Sequence, residues 1–180
     1  MPEQVTLVNQ HDQAIGASEK IKAHVDGALH RAFSIFVFNP SGEVLLQKRA
    51  GSKYHSAGLW SNTCCGHPRP DEGLSKAAHR RLQEEMGFDC VLNKAFSFIY
   101  KAELENDLVE HEFDHVFIGS FQGNPVLNPE EADEYQWVSI GDLKAGLAQE
   151  AGRYTYWLKP SFDSLLAHLE QNPLAKPRPD

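Results

Sequence analysis

Two thiols and an imidazole lie side by side in residues 61–68, which read SNTCCGHP. Four interpretations are compatible with this spacing: a disulfide, a metal site, a nucleophile, or a strand that ends in small residues. Structural zinc sites usually separate their cysteine ligands by two residues, so the adjacent pair Cys64 and Cys65 departs from that pattern. A disulfide between neighbouring cysteines closes a strained ring. The pattern alone leaves the other interpretations open.

A second candidate site is a pair of carboxylates in VEHEFDHVFIGSF, residues 109–121. If this segment is a strand, its period of two places Glu110 and Glu112 on one face, with Asp114 beyond them. Two adjacent carboxylates repel each other unless a cation lies between them. An edge strand with acidic side chains facing solvent is the alternative. The apolar character of the surrounding sequence favours a metal.

Histidines supply further candidate ligands. His24 and His30 are six residues apart, just before and at the start of a predicted strand. A single histidine is typical of a surface or of a satisfied core position. Together with His67, Glu110 and Glu112, however, they form a plausible set of five ligands. Three imidazoles and two carboxylates suit Mn, Fe or Zn, and octahedral coordination also admits Mg.

The elements that would position these residues alternate between strand and helix patterns, which predicts an α+β or α/β fold. Apolar alternation and turn residues predict strands over residues 5–8, 32–38, 44–48, 59–64, 95–102, 108–121 and 135–138. The sequence Asn-Pro-Ser-Gly at 39–42 predicts a hairpin turn. Spacings of three and four residues predict helices over 73–86, 142–149 and 161–171.

Length and composition are those of an ordinary globular domain. The 180 residues predict a single domain over 1–172, followed by a flexible proline-rich tail at 173–180. The net charge of −8 argues against general binding of nucleic acid. No apolar run is long enough to span a membrane, and no secretory signal is recognisable. With three cysteines in the chain, we expect a cytoplasmic protein.

The predicted helix at 73–86 belongs to a longer pattern, GHPRPDEGLSKAAHRRLQEEMGF. Taken alone, Arg80 and Arg81, each four residues before a glutamate, are typical of a solvated helix with salt bridges. The spacing from Gly66 through Glu72 to Arg80, however, resembles the Nudix box, a loop–helix–loop motif that holds divalent metal against a diphosphate. The matching positions are Gly66, Glu72, Arg80, Leu82, Glu84, Glu85, Gly87 and Phe88. Arg81 stands where the box has a glutamate, which argues against ordinary Nudix hydrolysis.

Four segments in order resemble the type I isopentenyl diphosphate isomerases: LHRAFSIFVFN, LLQKRAGSKYHSAGLWSNTCCGHP, RRLQEEMG and VEHEFDHVF. The resemblance covers roughly residues 7–165. It implies a Nudix-like α/β/α sandwich, with a mixed central sheet flanked by helices. It also implies interconversion of isopentenyl diphosphate and dimethylallyl diphosphate through a tertiary carbocation, as part of isoprenoid biosynthesis. The arginine at position 81 is itself a feature of that family.

The same resemblance implies roles for individual residues. Cys65 corresponds to the catalytic thiol, Glu112 to the second catalytic residue and Tyr100 to a tyrosine that assists proton delivery. The divalent metal (Mn²⁺, Mg²⁺ or Zn²⁺) corresponds to the set His24, His30, His67, Glu110 and Glu112. Mg²⁺ on the substrate diphosphate is expected at Glu85. The diphosphate-binding cations correspond to Lys20, Arg49, Lys53 and Arg81.

One position of the family pattern is not matched. The family places a tryptophan over the cationic carbon, and Ser161 stands at the aligned position here. Trp157 and Phe162 are both candidates for that role. We expect a monomer that binds a small diphosphate, with no nucleic acid or membrane partner. The alternative functions are a Nudix hydrolase of a nucleoside diphosphate derivative and a non-enzymatic module that binds metal or diphosphate.

Overall fold

A mixed β-sheet is the frame of the molecule in a computed structural model that describes residues 2–174 of the chain. Within these residues the strands are β1 Gln4–Val8, β2 Ala14–Glu19, β3 His30–Phe38, β4 Val44–Arg49, β5 Trp60–Ser61, β6 Cys64–Gly66, β7 Leu92–Glu103, β8 Val109–Ser120 and β9 Ala132–Val138. The helices are α1 Lys20–Asp26, α2 Leu74–Met86, α3 Ile140–Gln149 and α4 Leu158–Gln171. Strands β3 and β8 pair in parallel, whereas β3 pairs with β1, β4 and β6 in antiparallel fashion.

Strand β3 separates two hydrophobic cores. Its alternate residues Phe33, Ile35 and Val37 pack with the buried face of α2. Phe36 and Phe38 point to the opposite side and pack with α3 and α4. Because successive side chains of a strand face opposite ways, a strand buried on both faces reads as a continuous apolar run. The predicted α/β/α sandwich is therefore confirmed.

Most predicted elements are present, with bounds shifted by up to three residues. The largest helix shift is at α4, which begins at Leu158 although the pattern suggested a start after Pro160. Proline is tolerated in the first turn of a helix, where its missing N–H has no intrahelical partner. The predicted turn at 39–42 is confirmed as the β3–β4 hairpin, with Gly42 at a φ of 77°.

The prediction of one strand over 59–64 is wrong, because β5 and β6 are separated at Asn62 and Thr63. The side chains of these two residues replace the missing ladder bonds. Thr63 Oγ1 accepts a hydrogen bond from the amide of Val37 and donates one to the carbonyl of Leu45. Asn62 Nδ2 donates to the carbonyl of Ile35. This break directs the chain from β4 across to β3 and so determines where the two thiols lie.

Two elements before β3 were not predicted. Strand β2 lies at the sheet edge and is largely exposed, so it lacks the apolar alternation of a half-buried strand. Helix α1 has seven residues and ends at Gly27, which adopts a φ of 63°. It is too short to show a helical period, yet it carries the buried side chain of His24.

The C-terminal segment lies mostly beyond the described residues. Of the tail predicted at 173–180, Pro173 and Leu174 are described, and the rest falls outside residues 2–174. Among the helices of the described part of the chain, none is both long enough and apolar enough to cross a membrane.

Candidate active site

One face of the sheet gathers the chemically active side chains. In the parallel register of β3 and β8, His30 lies opposite Glu112, and in the β7–β8 register Tyr100 lies opposite Glu112 as well. Strand β6 places Cys65 opposite Ser34 of β3. Residues opposite each other on neighbouring strands share a face. The predicted alternation of β8 is thus confirmed, with Glu110, Glu112 and Asp114 on the same face.

Four of these side chains form a group suited to a metal ion. Donor atoms of His24, His30, His67 and Glu112 all lie within 4.8 Å of one another. Glu112 Oε1 lies 3.0 Å from His67 Nε2 and 3.6 Å from His30 Nε2. Within residues 2–174, the buried atoms His24 Nε2, His30 Nε2 and His67 Nδ1 have no hydrogen-bond partner. Because unpaired buried polar atoms are costly, these residues fit a bound divalent cation.

Backbone carbonyls orient two of the imidazoles. His24 Nδ1 lies 2.7 Å from the carbonyl oxygen of Lys20, and His30 Nδ1 lies 2.8 Å from that of Ala28. A hydrogen bond from Nδ1 leaves Nε2 unprotonated and available as a metal ligand. Burial lowers the pKa of His24 and lowers that of His67 to about 4, so both imidazoles are neutral at neutral pH.

Glu110 lies in a second group with His24 and His55. Its Oε1 is 4.0 Å from His24 Nε2 and 3.8 Å from His55 Nε2, and its Oε2 accepts a hydrogen bond from the hydroxyl of Tyr100. Sequence reasoning missed His55, because one histidine in a loop without periodicity carries no distinguishing signal. The side chain is nevertheless 95% buried, and burial lowers its pKa to about 3.

The two carboxylates have opposite pKa shifts. Burial and the neighbouring Glu112 raise the pKa of Glu110 well above its usual range. Burial alone would also raise the pKa of Glu112, but the neighbouring imidazoles of His30 and His67 hold it below its usual range. Environments that push the pKa values of paired groups apart are typical of acid–base sites.

The adjacent cysteines face opposite sides of the sheet. Cys64 lies opposite Ile35 and is completely buried in the core beneath α2. Cys65 faces the carboxylate side, where its Sγ donates to Asn62 Oδ1 at 3.0 Å and lies 3.6 Å from Ser34 Oγ. Burial, followed by the charge of Asp114, raises the pKa of the Cys65 thiol above its usual range. All three cysteines lie in the described part of the chain and are free thiols.

Cationic side chains surround the mouth of the same site. Lys20 Nζ lies 3.0 Å from Glu3 Oε2, and Lys53 forms an ion pair with Glu131. The guanidinium of Arg49 lies over the ring of Trp157, 5.3 Å from its centroid. These cations are therefore held in place by carboxylates and an aromatic ring, at positions from which they can contact an anionic ligand.

Helix α2 contributes an ion-pair network to this mouth. Arg81 contacts Glu85 at 2.5 Å, Glu84 at 2.6 Å and Glu131 at 3.0 Å. The other oxygen of the buried Glu85 accepts a hydrogen bond from Gln47 Nε2 at 2.8 Å. Arg81 thus places a cation among the carboxylates of Glu84, Glu85 and Glu131.

A small cavity connects these groups. It has a volume of about 70 Å³, and its lining includes Cys65, Glu112 and Trp157. The other lining residues are Glu3, Lys20, Arg49, Lys53, Tyr54, His55, Gly66, His67, Arg81, Glu85, Glu110 and Glu131. It adjoins an outer cleft of about 1210 Å³ whose lining shares Lys20, Lys53 and Arg81. The narrow inner part carries the thiol, a carboxylate and the indole, and the cations lie toward solvent.

Comparison of the sequence with known proteins identifies the family to which the chain belongs. The NUDIX domain family model matches residues 28–158. Isopentenyl-diphosphate Delta-isomerase 2 of Photorhabdus laumondii is 54% identical, over 92% of this chain and 93% of its own length. Isopentenyl-diphosphate Delta-isomerase 1 of Aromatoleum aromaticum is 52% identical, over 96% of this chain and 97% of its own length. The chain belongs to the Nudix family and, within it, to the isopentenyl-diphosphate Delta-isomerases.

Solved structures support the fold of this isomerase family member. A Deinococcus radiodurans crystal structure superposes with a TM-score of 0.68 at 20% identity, over 85% of this chain and 92% of that one. The MutT protein of Methanosarcina mazei superposes with a TM-score of 0.65 at 23% identity, over 81% and 96% of the two chains. At such identities the likeness concerns the fold alone, and it confirms the predicted Nudix-like architecture.

The Nudix-type loop of the isomerase is fixed by its own side chains. Glu72 and Arg80 form a two-pronged ion pair with distances of 2.7 and 2.8 Å. Hydrogen bonding to Arg80 lowers the pKa of Glu72 to about 2. Gly66 begins the loop where a Cβ atom would lie 2.8 Å from Phe33 Cζ and 3.2 Å from Arg81 Cγ. The spacing of the motif therefore reflects contacts that hold the loop against α2 and β3.

The structure distinguishes the aromatic candidates in this isomerase. Trp157 lines the cavity and donates from Nε1 to Ser61 Oγ at 3.0 Å. Phe162 is buried in the core between the sheet and α4. Ser161 donates its hydroxyl to the backbone carbonyls of Trp157 and Leu158, within the first turn of α4. Among the described residues, Trp157 is thus the C-terminal aromatic side chain that reaches the site.

Proposed function

We propose that the protein converts isopentenyl diphosphate to dimethylallyl diphosphate by proton addition and removal, as a step of isoprenoid biosynthesis. The observation that carries this proposal is the cavity, which joins Cys65, Glu112 and Trp157 inside with cations at its mouth. That arrangement suits a molecule with a short branched alkene at one end and a diphosphate at the other. The names of relatives at about half identity support the same activity.

Cys65 and Glu112 form the acid–base pair. The reaction adds a proton to the terminal alkene carbon and removes one from the methylene carbon beside the cationic centre. The raised pKa of Cys65 keeps its thiol protonated, whereas the lowered pKa of Glu112 keeps it ionised. The pair therefore holds one transferable proton. One group can donate a proton to the alkene while the other accepts a proton from the methylene carbon. Tyr100, bonded to Glu110, assists proton delivery beside this pair.

The intermediate carbocation needs walls that stabilise positive charge and exclude water. Trp157 lines the cavity with its indole, and its position is fixed by the hydrogen bond to Ser61. An aromatic face attracts a cation by about 1–2 kcal/mol when water is excluded. Glu112 adds a negative charge on the same cavity. Trp157 rather than Phe162 is thus proposed as the residue that covers the cationic carbon.

The divalent metal is proposed at His24, His30, His67, Glu110 and Glu112. When bound, its positive charge holds the two carboxylates together and tunes their proton affinity. The described side chains already provide the imidazole orientation, through the carbonyls of Lys20 and Ala28. These five ligands can bind Mn²⁺, Mg²⁺ or Zn²⁺.

Binding of the diphosphate is proposed at Lys20, Arg49, Lys53 and Arg81, with Mg²⁺ held against it by Glu85. On binding, Lys20, Lys53 and Arg81 would exchange their carboxylate partners for the ligand's phosphates. These partners are Glu3 and Glu131. Because the diphosphate does not react, its binding energy can hold the small alkene beside Cys65.

The test is incubation of the purified protein with isopentenyl diphosphate and Mg²⁺ in deuterated water. We expect dimethylallyl diphosphate to form and both isomers to take up deuterium, since protons exchange at each transfer. A parallel sample of Cys65→Ala should show both changes at least about 100-fold more slowly. Absence of both signals in the unaltered protein would contradict the proposal. Release of phosphate instead would support the Nudix hydrolase alternative.

We further infer a cytoplasmic monomer that acts on a free small molecule. Three free thiols are typical of a reducing compartment. All the proposed site residues come from one chain, so a second copy is not required for catalysis. Analytical ultracentrifugation of the active protein tests the monomer, and a dimeric species across the activity range would contradict it.

A further inference from the structure

A chain of buried hydrogen bonds connects the thiol of Cys65 to the indole of Trp157. Trp157 Nε1 donates to Ser61 Oγ at 3.0 Å, and Ser61 Oγ donates to Asn62 Oδ1 at 3.0 Å. Cys65 Sγ donates to the same amide oxygen at 3.0 Å, whereas Ser34 Oγ lies farther from the sulfur at 3.6 Å. Ser61 ends β5 and Asn62 follows it in the break before β6, with exposed fractions of 3% and 0%.

The donors and acceptors of Ser61 determine the direction of the first two bonds. An indole nitrogen can only donate, so the hydroxyl oxygen of Ser61 accepts the bond from Trp157. The same oxygen accepts a bond from Thr155 Oγ1 at 3.3 Å. Both of its lone pairs are then occupied, and its single proton is directed to Asn62 Oδ1.

The amide of Asn62 is oriented by its nitrogen. Nδ2 donates to the carbonyl oxygens of Ile35 at 3.1 Å and Cys64 at 3.0 Å, which uses both of its protons. A flipped amide would place its oxygen against these two carbonyls, so Oδ1 faces Ser61 and Cys65. Because an amide oxygen only accepts, the thiol of Cys65 is the donor in the last bond.

Ser61 and Asn62 lie behind the wall of the cavity. Among the described residues, the lining includes Cys65 and Trp157 but neither Ser61 nor Asn62. We infer that Ser61 and Asn62 are positioning residues that hold the thiol and the indole in a fixed arrangement around the substrate. This inference rests on the proposed function, in which Cys65 transfers a proton and Trp157 covers the resulting cation.

Such a role should affect turnover more than substrate binding. A misplacement of reacting groups by about 1 Å can lower a rate about 100-fold. The diphosphate is bound at the mouth of the cavity by cations that the hydrogen-bonded chain does not include. Loss of the chain should therefore lower kcat and leave KM nearly unchanged.

Asn62→Leu tests the thiol end of the chain, because leucine has a similar volume but cannot accept a bond from Cys65. We expect kcat for isopentenyl diphosphate to fall about 10- to 100-fold, with KM changed by less than about threefold. Thr63→Val is the matched control in the same break. The Thr63 hydroxyl is equally buried but bonds to Val37 and Leu45, so its loss should lower stability to urea and leave kcat as in the unaltered protein.

The same substitution in a Cys65→Ala protein separates positioning from a general loss of structure. If Asn62 acts through the thiol, Asn62→Leu should not lower the residual turnover further. A further loss as large as the loss in the unaltered protein would overturn the inference, as would equal kcat values for Asn62→Leu and Thr63→Val. Full turnover of Cys65→Ala would instead refute the proposed function.

Ser61→Ala tests the indole end, and it replaces Asn62→Leu if that variant does not fold. The readout is the Trp157 indole cross-peak in ¹H–¹⁵N spectra, which is assigned by comparison with Trp157→Phe. Ser61→Ala should move this cross-peak upfield and lower kcat about tenfold or more. Ser61→Thr keeps the hydroxyl and should restore both. An unmoved cross-peak or an unchanged kcat in Ser61→Ala would overturn the inference.

Discussion

At the scale of the residue, the two adjacent cysteines differ because a strand turns successive side chains to opposite faces. Cys64 fills the core under α2, and Cys65 lines the cavity with Glu112. Their reactivity follows from this placement rather than from the residue type. The arrangement also shows why the pattern Cys-Cys-Gly-His is neither a zinc motif nor a disulfide.

Substitution of Cys65 by alanine should lower isomerase turnover by about 10²–10⁴-fold, the usual contribution of one acid–base group. Cys64→Ala should retain most of the turnover and instead lose about 1 kcal/mol of unfolding free energy, because it leaves a small cavity. Steady-state kinetics and urea unfolding of both variants provide the check. Equal losses of turnover in the two variants would show that the thiols are not functionally distinct.

The rate at which Cys65 is alkylated should keep rising with pH between pH 7 and 9.5. Burial raises the pKa of this thiol, so it is mostly protonated throughout the range from pH 7 to 9.5. Below the pKa, each added pH unit raises the thiolate fraction about tenfold, and the thiolate is the reacting species. The rate of iodoacetamide labelling at Cys65, followed by peptide mass spectrometry, should rise by that factor. A labelling rate that levels off above about pH 8.5 would indicate a thiol with an ordinary pKa.

At the scale of the element, the close approach of β6, β3 and α2 depends on one glycine. Gly66 lies where a side chain would overlap the ring of Phe33 and press on Arg81. The site thus depends on a backbone contact between a strand end and a helix, and Arg81 reaches the cavity mouth from that helix.

Gly66→Ala should destabilise the protein by about 1–3 kcal/mol, since overpacking forces neighbouring groups to move. It should also raise KM for isopentenyl diphosphate, because Arg81 is displaced. Gly16→Ala is the matched control, as a Cβ at this edge-strand position meets nothing within 4 Å. Urea unfolding and steady-state kinetics test both variants, and similar behaviour of the two would contradict the packing argument.

At the scale of the whole molecule, the proposed metal site brings together segments that are distant in sequence. The five proposed donors come from α1, β3, the loop after β6, and β8. Ligand binding to the folded state stabilises it by an amount that rises with the logarithm of the ligand concentration, about 2.7 kcal/mol at 100 times Kd. The cation should therefore act as a cross-link of the fold.

Removal of metal with a chelator should lower the unfolding temperature, and the difference should grow as pH rises from 6 to 8. The sign follows from Glu110, whose raised pKa keeps a proton on the metal-free form. Metal binding releases that proton, so lower pH favours the metal-free form. Thermal unfolding with Mn²⁺ or with chelator at each pH measures the difference. The same difference at every pH between 6 and 8 would contradict this linkage.

The sequence by itself determined the strands and helices with strong periodicity, the acidic face of β8, and the spacing of the Nudix-type loop. These features are local, because side-chain alternation and helical repeat depend on neighbours in the chain. The residues of the family motifs likewise predicted Cys65, Glu112 and the histidines His24, His30 and His67 as site residues. Weakly periodic elements such as β2 and α1 escaped prediction.

The tertiary structure decided what depends on contacts between distant segments. It divided the predicted strand at 59–64, because side chains of Asn62 and Thr63 bond to β3 and β4. It brought Trp157 to the cavity and buried Phe162, although both lie near the start of α4. It also placed His55 beside Glu110, 55 positions apart in the chain. No local pattern encodes such contacts, since they arise only when the sheet and its helices pack together.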